Sequence, residues 1–402
     1  MRIGIVGGGI SGLTLASQLK CETEILEKEA VTGGLCRTFW KDGFGYDIGG
    51  HILFSKHEHV NELINGLLGD NIHHQRRANK ILYKGCSVKY PFENDLAALP
   101  LQERYECLID YLKADYPEPT NLEEWSYYTF GKSISEKYFL PYNAKIWNRE
   151  PRQISLEWVS RIPKPPMEDV VKSALGWETE GYVHQLNFRY PLHGGFETVV
   201  DVLAGQEGVR RTGIRISHIA KDSKGWAITQ EAGVDHYDRV VLACPIHEAI
   251  GYFDDVPESV REAIAGLEFN SIRICLIGIN NTSLNEMSAV YIPDSDVLAN
   301  RVCFLGYFSP HMVPEGCSSA VCEVTTRPGD QVDSMSDQEF MDRCVQDMDR
   351  IGLLKRADVV TTDTQRMHYA YPVYLSGYSE MTKSFRDYFQ SIPVELLGRF
   401  AE

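Results

Sequence analysis

The first thirty residues alternate between apolar blocks and a glycine-rich block. A short apolar run ends at Val6, glycines dominate residues 7–12, and residues 13–19 read Leu-Thr-Leu-Ala-Ser-Gln-Leu. A second run at 23–26 again ends in apolar residues. This order predicts a strand, a tight turn, a helix and a second strand.

Further along the chain, helical and strand patterns separate into two long blocks. Residues 94–180 carry helical periodicity, as in the segment 104–112. Residues 265–375 contain apolar runs of the kind that buried strands have, at 272–279, 302–305 and 319–324. We therefore expect a mostly helical insertion followed by an antiparallel sheet.

A glycine pattern after the first predicted strand indicates a nucleotide site. Gly7, Gly9 and Gly12 have the G-x-G-x-x-G spacing, which permits the turn, the approach of a pyrophosphate and close helix packing. The following helix directs its first N–H groups at the phosphates. Glu27 ends the second predicted strand, where a carboxylate accepts hydrogen bonds from a ribose hydroxyl. The pattern predicts dinucleotide binding, whereas an unrelated glycine-rich turn leaves Glu27 unexplained.

Length, charge and cysteine content narrow the class of protein. The chain has 402 residues, enough for two or three domains, and a formal net charge of −16. This charge disfavours nucleic-acid polymers as partners but allows a small anionic ligand held by a few arginines. Ten scattered cysteines without metal-ligand spacing, and no export signal, predict a cytoplasmic protein without a metal site. No apolar stretch is long enough for a membrane span, and the oligomeric state stays open.

Two further glycine pairs favour FAD over NAD as the dinucleotide. Gly33-Gly34, followed by Arg37, suits a loop that closes over a pyrophosphate, and Gly49-Gly50 before His51 lets the backbone lie against a flat ring. A buried strand predicted at 237–245 resumes the nucleotide domain after a long interruption, as in large flavoproteins. Each glycine pair alone is better explained as an ordinary turn, but both pairs in this order favour a flavin.

Several longer motifs carry a family resemblance over nearly the whole chain. They are residues 47–55 (DIGGHILFS), 90–94 (YPFEN), 140–147 (LPYNAKIW), 158–161 (WVSR), 188–195 (FRYPLHGG), 291–293 with Arg301, 371–372 and 398–400. With these motifs the chain resembles the UDP-galactopyranose mutases, particularly their eukaryotic-type branch. That group lies within the flavin amine oxidase and protoporphyrinogen oxidase superfamily, which is all that the first 54 residues support.

The resemblance implies an α/β fold with a Rossmann-type FAD-binding domain, a helical insertion and an antiparallel-sheet substrate domain. The FAD domain is expected at residues 1–75 and 194–255, plus 385–402. The helical insertion is expected at 94–180, and the substrate domain at 76–93, 181–193 and 265–375.

The resemblance also assigns residues to a cofactor site and a substrate site. The expected FAD-binding residues are Gly7, Gly9, Ile10, Ser11, Gly12, Glu27, Lys28, Gly33, Gly34, Leu35, Arg37, Gly49, Gly50, His51, Gly194, Gly195 and Arg399. The expected substrate-binding residues are Tyr90, Phe92, Glu93, Asn143, Trp147, Arg161, Tyr291, Arg301 and Tyr371. Tyr90 and Phe92 are expected to sandwich the base, since aromatic faces stack on flat rings.

The activity that the resemblance implies is a pyranose/furanose ring interconversion of a nucleotide sugar, a step in polysaccharide biosynthesis. It proceeds without net oxidation, through a bond between N5 of reduced FAD and the sugar, with NADPH or NADH as the candidate reductant. Arg161 and Arg301 are expected to converge on the diphosphate leaving group and stabilise its charge, and His51 to support the reduced flavin. Without the resemblance, both arginines are better explained as surface charges. Core packing remains an alternative for His51, Trp147 and Tyr371.

Three departures from the family pattern leave other functions open. Glu93 stands where the family has glutamine, and a carboxylate only accepts hydrogen bonds, so a guanine base suits it better than uracil. Phe308 replaces an expected tyrosine, and the chain ends at Glu402, before an expected helix. The alternatives are an FAD-dependent amine oxidase or protoporphyrinogen oxidase-like oxidoreductase, and a non-catalytic nucleotide-binding homologue.

Overall fold

The structure is a computed structural model that describes residues 1–162, 164–180, 186–205 and 209–399, without the side chains at 160, 161 and 209. Its internal contacts divide the chain into two units. Unit 1 comprises Met1–Arg37, Phe196–Glu268 and Gly377–Glu402, and unit 2 comprises Thr38–Gly195 and Phe269–Ser376.

The chain forms twelve α-helices and nineteen strands among the described residues. The helices are α1 (Ile10–Gln18), α2 (Glu58–Leu68), α3 (Leu101–Leu112), α4 (Leu122–Ile134), α5 (Leu140–Trp147), α6 (Met167–Ala174), α7 (Glu197–Ala204), α8 (Ile246–Ala249), α9 (Glu258–Gly266), α10 (Leu305–Phe308), α11 (Asp337–Arg350) and α12 (Tyr378–Ser391). The strands are β1 (Arg2–Val6), β2 (Glu22–Leu26), β3 (Thr38–Lys41), β4 (Phe44–Asp47), β5 (His73–Arg76), β6 (Asn79–Tyr83), β7 (Cys86–Lys89), β8 (Asn187–Tyr190), β9 (Val209–Arg211), β10 (Ile216–Asp222), β11 (Gly225–Gln230), β12 (Gly233–Tyr237), β13 (Arg239–Leu242), β14 (Phe269–Ile279), β15 (Ala289–Tyr291), β16 (Arg301–Cys303), β17 (Ser318–Thr326), β18 (Val359–Pro372) and β19 (Glu395–Leu396).

Unit 1 is built on a parallel sheet with the strand order β19-β13-β1-β2-β9. Its central strand β1 pairs Ile5 with Val241 on one side and with Ile25 on the other. The three inner strands, β13, β1 and β2, are buried over most of their length, as parallel strands with covered faces are. A separate antiparallel sheet, β10-β11-β12, precedes β13. The Rossmann-type α/β arrangement expected from the sequence is confirmed.

Unit 2 contains a seven-stranded sheet with the order β18-β14-β17-β16-β15-β6-β7. Its neighbouring strands are antiparallel except for β15 and β6, which run parallel. The expected antiparallel sheet is therefore present with one parallel join. One face packs against α11, where Phe340 and Cys344 lie in a buried cluster with Cys275 and Cys322. We call the opposite face, which carries Arg301 and Glu323, the site face.

Helices α3 to α6 form the mostly helical segment that the periodicity predicted. Asn121 caps α4 by accepting a hydrogen bond from the Glu124 N–H. Leu122, Trp125 and Phe130 are buried in one cluster with the site-face residue Ile81. This packing places α5 over the sheet, because the same cluster continues into Trp147 at its end.

Residues 38–75 group with unit 2, whereas the sequence placed them in the FAD domain. The reason is polar pairing with distant strands: Tyr46 donates to Asp363 at 2.7 Å, and Tyr190 donates to Asp47 at 2.6 Å. Residues 377–384, expected in neither domain, group with unit 1, where α12 packs on α9. None of the helices among the described residues has the length and apolar character of a membrane span.

Candidate functional site

The glycine loop of unit 1 joins β1 to α1 and leaves a space beside Gly9. Gly7 has φ +108°, and a Cβ there would lie 2.6 Å from the carbonyl oxygen of Ala243. A Cβ on Gly12 would lie 2.3 Å from the Gly7 carbonyl oxygen, so close packing requires both glycines. A Cβ on Gly9 would meet no atom within 4 Å, and Gly9 caps α1 without a side-chain hydrogen bond. This open cradle at a helix N-terminus fits a pyrophosphate.

Glu27 lies against the same loop. Its Oε2 accepts a hydrogen bond from the Gly8 N–H at 2.7 Å, and its Oε1 accepts one from the Glu29 N–H at 2.9 Å. The Gly33 N–H donates to the Gly8 carbonyl at 2.8 Å, which ties the second glycine loop to the first. A Cβ on Gly398 would lie 3.3 Å from Ser11 Oγ, so the chain before Arg399 also reaches α1.

These contacts bring most of the FAD-binding residues predicted for unit 1 into one place. Lys28 instead points to Glu248, and the shortest distance from its Nζ to that carboxylate is 2.6 Å. Arg37 donates from Nε to the Gly34 carbonyl at 3.1 Å. The donor set and the open cradle fit the pyrophosphate and ribose of FAD, although each assignment stays a prediction.

A buried carboxylate organises the site face of unit 2. Arg301 on β16 lies opposite Glu323 on β17, and its Nε and Nη2 donate to the two Glu323 oxygens at 2.9 and 2.7 Å. Glu323 is 1% exposed and Arg301 is 25% exposed. Burial opposes the charge of Arg301, but Glu323 outweighs it and raises the pKa of Arg301 well above its usual value. Arg301 is therefore a fixed cation with part of its surface open.

Glu323 also holds the glycine loop before His51. Its Oε1 accepts a hydrogen bond from the Gly50 N–H at 2.9 Å and lies 3.1 Å from Cys303 Sγ. Gly49 has φ +82°, and a Cβ on Gly50 would lie 2.4 Å from Cys303 Sγ. One carboxylate thus joins the predicted flavin loop to the predicted diphosphate arginine.

A group of tyrosine rings lies around Tyr291, the cross-strand partner of Arg301. Tyr291 pairs with Arg301 across the sheet, and Tyr90 stacks on Tyr291 with ring centres 4.7 Å apart. Tyr142 on α5 contacts the same Tyr291 ring edge-on at 5.5 Å. Burial raises the pKa of Tyr142 well above its usual value, so its hydroxyl stays neutral at physiological pH.

Phe92 lies in a different stack from Tyr90. Its ring is 0% exposed and stacks on Tyr138 at 5.3 Å. The expected sandwich of a base between Tyr90 and Phe92 is therefore absent, because Phe92 has no open face. The stacking partner of Tyr90 is the half-buried Tyr291, which the sequence placed in the site without a stacking role.

Glu93 is a buried acid next to this core. It is 5% exposed, and burial raises its pKa to about 7. Its backbone carbonyl accepts a hydrogen bond from Ser173 Oγ at 2.7 Å, which holds the segment against α6. A carboxyl group with this pKa carries a proton in mildly acidic solution, where it both donates and accepts like an amide.

Asn143 and Trp147 are both buried on α5, one turn apart. Asn143 donates to the Phe139 carbonyl at 2.8 Å, and Trp147 packs edge-on against Trp158 at 4.9 Å. Tyr371 pairs with Asn270 at the edge of the same sheet. Phe308 packs edge-on against Tyr190 at 5.4 Å, inside the core. These positions favour packing roles for Trp147 and Phe308.

Three further predicted site residues are Arg161, Gly194 and Gly195. The backbone of Arg161 ends a short helical turn, Trp158–Arg161, but its side chain lies outside the described residues, so its convergence with Arg301 stays a prediction. Gly194 and Gly195 have φ +85° and +71°, and a Cβ on Gly195 would lie 2.4 Å from Thr38.

Sequence reasoning missed Glu323, although a single acid inside the buried strand SSAVCEVTT is a signal of a polar role.

Comparison with known families places the chain among flavoproteins. A sequence model described as flavin containing amine oxidoreductase matches residues 10–393. A 56-residue stretch is 48% identical to an uncharacterized protein in the nifH2 3′ region of Methanothermococcus thermolithotrophicus. That match covers 13% of this chain and 54% of the relative, so the chain spans about half the length of that curated relative.

Solved structures show the same fold. Reduced UDP-galactopyranose mutase matches with TM-score 0.92 and 24% identity, over 100% of this chain and 90% of that chain. A candidate protoporphyrinogen oxidase from Exiguobacterium sp. 255-15 matches with TM-score 0.78 and 20% identity, over 98% and 93%. Putrescine oxidase bound to putrescine matches with TM-score 0.65 and 14% identity, over 96% and 91%.

Proposed function

The chain belongs to the flavin-containing amine oxidoreductases, and from this membership we propose that it is an FAD-dependent mutase. Its reaction would interconvert the pyranose and furanose rings of a nucleotide sugar, as the sequence motifs imply. The observation that carries the proposal is the Arg301 guanidinium, which is fixed by Glu323 beside the Tyr90–Tyr291 ring pair. A cation next to flat rings suits a base joined to a diphosphate.

The proposed roles follow from the chemistry of each group. Two of the five Arg301 N–H groups bond Glu323, and the other three remain to bond phosphate oxygens. Their charge stabilises the diphosphate as it leaves, which is where negative charge develops. Gly7 to Gly12 and Glu27 would hold the FAD pyrophosphate and ribose. Reduced FAD, when bound, would supply the electron pair that the ring rearrangement needs.

The test is turnover of UDP-galactofuranose by the FAD-loaded protein, with and without dithionite, followed by chromatography of the pyranose product. The proposal expects turnover with reduced protein only. Arg301→Lys should lower kcat/KM by about one to two orders of magnitude, because a bidentate bond to a charged group contributes about 1.5–3 kcal/mol. Arg366→Lys is the matched control, since Arg366 lies on the other face of the same sheet, paired with Asp333 at 3.3 Å.

The other functions predict different results in the same experiment. Oxygen consumption with putrescine or protoporphyrinogen, without mutase turnover, would replace the proposal by an oxidase, the activity that two of the structural neighbours are named for. No turnover in either assay would indicate a nucleotide-binding homologue. Titration with UDP and GDP by calorimetry tests the base, and a preference for GDP would support a base-reading role of Glu93.

A further inference from the structure

Lys145 makes an unusual set of contacts beside the site face. From α5, its Nζ donates to three backbone carbonyls, those of Ile292 at 3.0 Å, Asp294 at 2.8 Å and Ala299 at 2.7 Å. The protonated amine has three N–H donors, so all of them are used; burial lowers the pKa of Lys145 to about 7, and this full donor set is present below that pH. The three acceptors belong to one loop, residues 292–300, which connects β15 to β16.

That loop begins and ends at the proposed nucleotide site. Tyr291 precedes it, Arg301 follows it, and these two residues are cross-strand partners. The Ile292 N–H donates to the Asn300 carbonyl at 3.0 Å, which closes the base of the loop. Two of the Lys145 acceptors, Ile292 and Ala299, lie within two residues of this closure. Lys145 therefore holds the part of the loop that sets the spacing of Tyr291 and Arg301.

The tip of the loop is held separately, by α11. Arg343 and Arg350 each donate from Nη2 to the Asp296 carbonyl at 2.8 Å, and the Leu298 N–H donates to Asp347 at 2.9 Å. Basic side chains therefore bond two different parts of the loop. Lys145 bonds its base, next to the proposed site, and Arg343 and Arg350 bond its tip.

We propose that Lys145 is a positioning residue, whose ammonium group fixes the base of loop 292–300 so that Tyr291 and Arg301 together receive a nucleoside diphosphate. The choice of a nucleoside diphosphate as ligand rests on the proposed function, whereas the fixing of the loop by Lys145 does not. Helix α5 is itself anchored to the sheet, because Thr325 Oγ1 donates to the Lys145 carbonyl at 3.2 Å and Asn148 Nδ2 donates to the Thr325 carbonyl at 3.0 Å. The helix is thus a rigid support from which Lys145 acts.

The test compares Lys145→Met with Arg350→Met in FAD-loaded protein. Both variants remove a cation that bonds a carbonyl of the same loop, but only Lys145 bonds its base. We expect Lys145→Met to raise the Kd for UDP about tenfold and Arg350→Met to change it less than about twofold. Hydrogen exchange of peptides that contain residues 291–301 should speed up in Lys145→Met, and Arg350→Met should affect only the tip.

Chemical rescue adds a readout that a general packing role would not give. In Lys145→Ala, millimolar n-propylammonium should restore UDP binding towards the wild-type Kd, and the neutral n-propanol should not. Lys145→Gln serves as the second variant if Lys145→Met fails to fold. Unchanged exchange across 291–301, or equal losses of UDP binding in the Lys145 and Arg350 variants, overturns the inference. If wild-type protein binds neither UDP nor GDP, the proposed ligand is wrong. Hydrogen exchange across 291–301 then decides whether Lys145 fixes the loop.

Discussion

Replacing Glu323 by glutamine should destabilise unit 2 measurably. The introduced amide would keep one carbonyl oxygen but place its N–H₂ group against a donor of the Arg301 guanidinium in either orientation, and in one of them also against the Gly50 N–H. Breaking a buried ion pair costs about 3–5 kcal/mol. Arg301 is 25% exposed and water replaces part of the lost interaction, so we expect a loss of about 2–3 kcal/mol.

The measurement is urea unfolding of the FAD-free protein, followed by tryptophan fluorescence. Glu168→Gln is the matched control, because Glu168 pairs with Lys172 at 2.6 Å on an exposed helix face of the same unit. Water screens that exposed pair, so its loss should change the free energy of unfolding far less. If Glu323→Gln loses no more free energy of unfolding than Glu168→Gln, the idea that Glu323 organises the site face is wrong.

Three further predictions follow from single contacts. Burial raises the pKa of Glu93 from 4.5 to about 7, so the folded state holds a proton that the unfolded state releases between these values, and stability falls as pH rises through that window. Because of Glu93, the free energy of unfolding from urea titrations should be about 3 kcal/mol lower at pH 8 than at pH 4.5, and Glu93→Gln should lose this difference. The same pH dependence of the unfolding free energy in both proteins would contradict the prediction. Gly50→Ala should cost about 1–3 kcal/mol through its clash with Cys303 Sγ, and adding Cys303→Ala should recover most of the unfolding free energy; a double variant as unstable as Gly50→Ala rules that contact out. Gly9→Ala should leave the melting temperature of FAD-free protein unchanged, because its Cβ meets no atom, yet raise the Kd for FAD at least about tenfold in a fluorescence titration; an unchanged Kd argues against a pyrophosphate at this loop.

The outcome for particular residues shows where sequence reasoning succeeds. The glycine spacing and apolar runs predicted β1, α1 and β2, and the structure confirms them because a parallel strand buried on both faces has a continuous apolar pattern. The flavin amine oxidase superfamily inferred from the motifs is confirmed by the family match over residues 10–393, and the fold is similar to that of a reduced UDP-galactopyranose mutase.

Other features depended on contacts between distant segments. Phe92 looked equivalent to Tyr90 in the motif YPFEN, but its ring turns into the helical core and stacks on Tyr138. Residues 38–75 follow the nucleotide motif directly, yet Tyr46 and Asp47 bond residues far along the chain in unit 2. Local pattern contains no information on which distant polar group a side chain meets, so these assignments required the fold.

The amino-acid sequence by itself determined the α/β class, the glycine loop between β1 and α1 and the presence of a basic residue at 301, because these depend on local spacing and residue chemistry. Only the tertiary structure decided that the partner of Arg301 is Glu323. It lies opposite Glu323 because β16 and β17 pair in one particular register, and a shift by one residue would turn these side chains to the other face of the sheet. Sheet register arises from packing of the whole unit, and no short motif encodes it.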